Sequence, residues 1–143
     1  MSSALHTLVR VVHVLGMAVV LGGAAAVWQT LRANDRTPVA TLRRFESVFW
    51  VAIGLIVATG VGNLGALGPP GPSTRWGSVL TAKLFVVLGF VVLSIVRSLA
   101  VLRVRTRGQS VTDLASDRLR LLYANTVWVL VVVVVLAEVL AHG

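Results

Sequence analysis

The sequence predicts an all-α fold, a bundle of four transmembrane helices with both termini outside. Three observations carry this. The chain of 143 residues is 57% hydrophobic and only 13% charged, where a water-soluble domain carries about 25% charged residues. Its charges fall in short stretches between long apolar runs. Each run reaches the roughly 20 residues needed to cross a ~30 Å hydrocarbon core as a helix, and backbone in lipid must satisfy its own hydrogen bonds.

The first span covers about residues 4–31. It has no basic stretch ahead of its apolar core and is long enough to span, so it reads as a membrane helix rather than a cleaved leader. The second runs over about 46–67, the third over about 77–102 and the fourth over about 119–141. A stiff outer turn, Gly68 to Pro72 with Pro69 and Pro70, joins the second and third. Ser110 to Asp113 is a capping-box variant, and Asp117 adds negative charge near the helix start, so the fourth helix begins before the membrane does. The Val-rich run from Val127 to Val135 is ordinary lipid- or core-facing sequence. The length suits one integral membrane domain over residues 1–143.

Orientation follows from arginine. Arg32, Arg36, Arg43 and Arg44 lie between the first two spans, and Arg97, Arg103, Arg105, Arg107, Arg118 and Arg120 after the third. The loop between spans two and three holds only Arg75. The positive-inside rule places the Arg-rich loops 32–44 and 97–120 in the cytoplasm of a multi-pass cell-membrane protein. That arrangement accounts for the formal charge of +8 without nucleic acid as a partner. The absence of cysteine removes disulfides, thiolate metal sites and thiol catalysis.

Polar residues inside the spans are the candidates for function, because ionisable groups in hydrocarbon are costly and face a bundle interior, a cavity or a ligand. His6, Arg10, His13 and Met17 form one stripe on the first helix. His13 lies roughly 12 Å from the outer end of its span, and Lys83, the only lysine, roughly 9 Å from the outer end of the third. Asn63 and Glu138 fall in the same outer half.

Plainer roles exist for most of these. Lys83 can snorkel or pair with Glu138, His6 and His142 sit at the interface, Met17 suits packing, and Asn63 and Asn125 suit interhelical hydrogen bonds. His13 has no neighbour in sequence to satisfy it except Arg10, which shares its sign.

A neutral imidazole in an apolar bundle is a good axial ligand for haem iron, with a deprotonated lysine amine as a second ligand. Arg10 suits a haem propionate, Met17 a porphyrin face, and Gly16, Gly22 and Gly23 the close approach of a macrocycle or a neighbouring helix. Copper is the rival: His6, His13 and Met17, with Met1 or His142, offer imidazole and thioether donors. His6 and His13 are about 10 Å apart along the helix, too far to share one ion, so copper would pass between sites.

The pattern resembles the superfamily of small membrane proteins that includes the CopD copper-resistance domain and the HemJ-type protoporphyrinogen oxidases. Arg10, His13 and Gly23 match the basic residue, histidine and glycine of the HemJ-type first span. Thr59-Gly60 is similar to a threonine/glycine feature of the second. Trp76-Gly77-Ser78-Val79-Leu80-Thr81-Ala82-Lys83-Leu84 resembles the CopD form of the third, and Asn125 the HemJ-type asparagine of the fourth. Val20 and Thr126 depart from the HemJ-type tryptophan and acidic residue, and the following proline is missing.

The resemblance implies haem b in the bundle, with His13 as axial ligand and Lys83 as second ligand or essential neighbour. The leading expectation is a b-type haem protein doing one-electron redox chemistry or electron transfer, with Arg10, Met17 and Asn63 near the cofactor. A quinone or another redox protein is the partner this implies, beside the lipid bilayer and haem. A homo-oligomer is left open. A CopD-type copper-handling protein, a HemJ-like oxidase and a structural accessory subunit are the alternatives.

Overall fold

The computed structural model describes the backbone of residues 3–33, 37–67, 74–106 and 113–142, and the side chains of 4–33, 37–60, 74, 77–104 and 116–139. The Gly68 to Pro72 turn, Ser110 and the side chains of Asn63, Arg75, Trp76 and His142 lie outside these residues. The described chain is helical and contains no strand: α1 (Ser3–Ala33), α2 (Val39–Leu67), α3 (Arg75–Thr106) and α4 (Asp113–His142).

Helix starts follow local chemistry. Thr74 caps α3: its side-chain oxygen accepts from the Gly77 amide at 3.0 Å and its carbonyl from the Ser78 amide at 3.0 Å. Pro38 precedes α2, where its fixed φ suits a first turn, and its carbonyl accepts from the Thr41 amide. Inside the helices Thr30, Ser47, Thr59, Thr81, Ser94 and Thr126 each donate to the carbonyl four residues back. Such back-bonding gives a hydroxyl a partner where no water is present.

The helices pack α1 on α2, α1 on α4 and α3 on α4, and no diagonal pair approaches closely among the described residues. α2 and α3 approach each other at few points. The α1/α2 seam is tight because of two glycines. A Cβ on Gly16 would stand 2.9 Å from Ile56 Cγ1, and one on Gly23 would stand 2.7 Å from Phe45 Cε2. The close approach expected of these glycines is therefore to a neighbouring helix, while Gly22 has nothing within 4 Å.

The core has two apolar layers. Val27, Leu31, Leu42, Val101, Leu119 and Tyr123 form one, nearer the α1–α2 and α3–α4 connections. Val20, Phe49, Ala52, Phe90 and Leu130 form the other. The exterior is apolar too: Phe85 is 71% exposed, Val51 67% and Trp128 64%. An apolar outside around a partly polar inside suits lipid, not water. Ala4–Ala33, Gly77–Val104 and Ser116–Val139 are each long and apolar enough to cross a membrane; α2 carries Arg43, Arg44 and Glu46 near its start.

The helices extend past the expected spans at the Arg-rich end. α3 continues to Thr106, so Arg103 is a helical residue, and Arg97, counted with the Arg-rich loop 97–120 although it falls within the expected span 77–102, lies well inside the helix. Arg118 and Arg120 belong to α4, which begins at Asp113 ahead of the apolar run as its acidic start implies. Arg97 departs furthest from expectation, being completely buried.

Candidate functional site

α1 separates the residues of its stripe. His6 and Arg10 are exposed and share a shallow surface groove with Thr7, Val11, Val14 and Leu15, all from the same helix. His13 and Met17 are partly buried. Met17 packs against the layer of Val20, Phe49 and Leu130, a packing position.

His13 faces α2. Its Nδ1 lies 2.8 Å from Thr59 Oγ1. The Thr59 hydroxyl has one proton, and two carbonyls compete for it, Leu55 O at 2.7 Å and Ile56 O at 3.1 Å. The hydroxyl must then accept from His13, so Nδ1 carries the hydrogen. In the neutral ring this leaves the lone pair on Nε2. A histidine whose other nitrogen is fixed in this way is oriented and tautomerically set as a metal ligand.

Gly60 completes the seat. A Cβ there would lie 3.5 Å from His13 Cε1, so the ring passes over the glycine at ordinary contact distance. Lys83 on α3 is partly buried, and α1 and α3 make no close approach among the described residues. No three His, Cys, Asp or Glu side chains converge among the described residues. Glu138 and Asn125 are exposed on α4.

A second polar cluster lies toward the Arg-rich end, and sequence reasoning missed it. Arg97 Nε donates to Glu46 Oε1 at 2.8 Å and Nη2 to Oε2 at 3.2 Å, a two-pronged ion pair between α3 and α2. Arg97 Nη1 donates to Thr126 Oγ1 at 2.8 Å on α4. Glu46 also accepts from Tyr123 Oη at 2.7 Å and Ser98 Oγ at 2.5 Å. That fills the roughly four acceptor sites of a carboxylate.

The guanidinium lies over three rings, with Cζ 4.1 Å from the Phe49 centroid, 5.0 Å from Tyr123 and 5.5 Å from Phe45. Burying one charge alone costs several kcal/mol, and pairing with full hydrogen bonding offsets it. The signal available in sequence was a helical run that continues past Arg97, with Glu46 placed to answer it on another helix.

An apolar-faced helical bundle that buries an ion pair and a partly buried histidine is an integral membrane protein. Residues 39–140 match the family model described as copper resistance protein D, and the chain belongs to that family. The match takes in α2, α3 and α4, with Thr59, Gly60, Lys83 and the whole Arg97 cluster, and leaves α1 with Arg10 and His13 outside. No curated protein and no solved structure matches the chain significantly.

Proposed function

We propose that this membrane protein handles copper, with His13 Nε2 as an ion ligand inside the bundle. The observation that carries the reading is the hydrogen bond from His13 Nδ1 to Thr59, which fixes the ring and leaves Nε2 as the donor. The family's printed name, copper resistance protein D, supplies the metal. Imidazole suits copper, and the Met17 thioether, one turn further along α1, is a soft donor of the kind copper(I) takes. The Lys83 charge opposes a bare cation at Nε2 while the amine is protonated. Lys83 then tunes affinity rather than adding to it, and Lys83→Met tightens copper binding.

A second reading, b-type haem, rests on the partly buried His13 imidazole, with Lys83 partly buried on α3. The imidazole fits an axial position. The α1/α2 face does not fit a macrocycle, because Ile56 and Phe45 fill the space above Gly16 and Gly23. In this reading haem supplies one-electron chemistry, and the chain supplies His13 as ligand and Lys83 as second ligand or neighbour.

Purified protein separates the two. Copper titration against a coloured chelator, in wild type and His13→Ala, tests the first reading; loss of the site in the variant is expected. A Soret band after haem-replete expression, abolished by His13→Ala and altered by Lys83→Met, is the outcome for haem. A protein that binds neither copper nor haem leaves the polar residues as helix cross-links and overturns both.

A further inference from the structure

Among the described residues, the bundle has one weak edge. α2, α1, α4 and α3 follow one another around it through close packing, while α2 and α3 meet at few points. Among the described residues, the side-chain contacts between α2 and α3 gather on one stretch of each helix. Glu46 takes Arg97 and Ser98, the Trp50 indole N–H donates to Ser98 Oγ at 3.0 Å, and the Phe49 and Phe90 rings lie 5.9 Å apart. Trp50 is on the outer surface of that edge, so the chain Trp50–Ser98–Glu46–Arg97 runs from the lipid-facing side to the centre.

We propose that this chain is the latch of the α2/α3 edge, and that releasing it parts α2 from α3 while the other three edges hold. Packing explains the asymmetry. The α1/α2 edge is held by glycines that a side chain fills. The α1/α4 edge is held by the Val27, Leu31, Leu119 and Tyr123 layer, and by Arg120 Nε on the Leu31 carbonyl at 2.5 Å. Beside the Phe49–Phe90 ring contact, the described α2/α3 edge depends on directional polar bonds, which break over short displacements where apolar packing yields gradually. Lys83, on α3, lies beyond the latch toward the other end of that edge. The inference does not depend on what His13 binds.

The chain has no cysteine, so paired nitroxide labels test the latch in the full protein in lipid nanodiscs. Val57→Cys with Leu84→Cys reports α2 against α3, and Val19→Cys with Val132→Cys reports α1 against α4; all four positions are exposed. The latch is released strongly by the double change Glu46→Gln with Arg97→Gln, which strands no buried charge, and mildly by Trp50→Phe. A longer, broader α2–α3 distance with an unchanged α1–α4 distance is expected in both. An unchanged α2–α3 distance in both overturns the proposal. If the double change moves both label pairs, Trp50→Phe decides: movement of the α2–α3 pair alone supports the latch, and any other result overturns it.

Discussion

Arg97 and Glu46, on different helices, form a two-pronged ion pair at 2.8 and 3.2 Å, and the arginine has no exposed surface. Removing one partner strands the other charge in the bundle. Arg97→Met and Glu46→Leu are each expected to destabilise by about 3–5 kcal/mol. The double change Glu46→Leu with Arg97→Met restores most of that loss, because an apolar pair of similar volume is about neutral. Thermal unfolding of the three variants in one detergent checks this; three equal losses would contradict it.

Thr59 orients His13 through Nδ1, and in the proposed copper site it does not touch the ion. Thr59→Val keeps the shape and removes the acceptor for Nδ1. Losing the partner that orients a ligand histidine costs about 10–100-fold in metal affinity, so a fall of that size in copper affinity is expected with helix content unchanged. Thr59→Ser keeps a hydroxyl and restores most of the affinity. Chelator competition on the two variants decides whether the hydroxyl acts as stated.

Two glycines on facing helices should answer alanine differently. At Gly23 the new Cβ meets Phe45 at 2.7 Å. Phe45 cannot swing away, since its ring packs against Phe49 and Tyr123 at 5.7 and 5.6 Å between centroids. Gly23→Ala is expected to cost about 1–3 kcal/mol by overpacking. Gly60→Ala meets only His13 Cε1 at 3.5 Å and is expected to leave stability nearly unchanged. Unfolding midpoints of the pair provide the comparison.

His6 and Arg10 share a groove on the surface of α1 and are exposed. His6→Ala and Arg10→Ala are expected to leave stability within about 0.5 kcal/mol of wild type and copper bound at His13 unchanged. Loss of copper in His6→Ala, measured by metal content, would move the site to the helix end.

The helices were legible because hydrophobic length and segregated charge directly decide what lipid accepts. Depth along each helix could be read too, since 1.5 Å per residue converts sequence position into depth. The partner of His13 was not: Thr59 looked like half of a Thr-Gly feature, and only the α1/α2 packing brings its hydroxyl to Nδ1. Arg97 was misread for a physical reason. Counting arginines near span ends assigns them all to water, and it cannot see that Glu46 offers one of them a carboxylate inside. Charge in a membrane chain is read correctly only in pairs, and pairing is a property of packing.

The central claim is that His13 Nε2 holds a metal in the bundle. The most direct test is copper bound per chain by purified wild-type protein and His13→Ala, titrated in the same lipid nanodiscs against one chelator. A tight site in the wild type, lost in His13→Ala, is expected. Equal copper affinity and stoichiometry in the two proteins would contradict it.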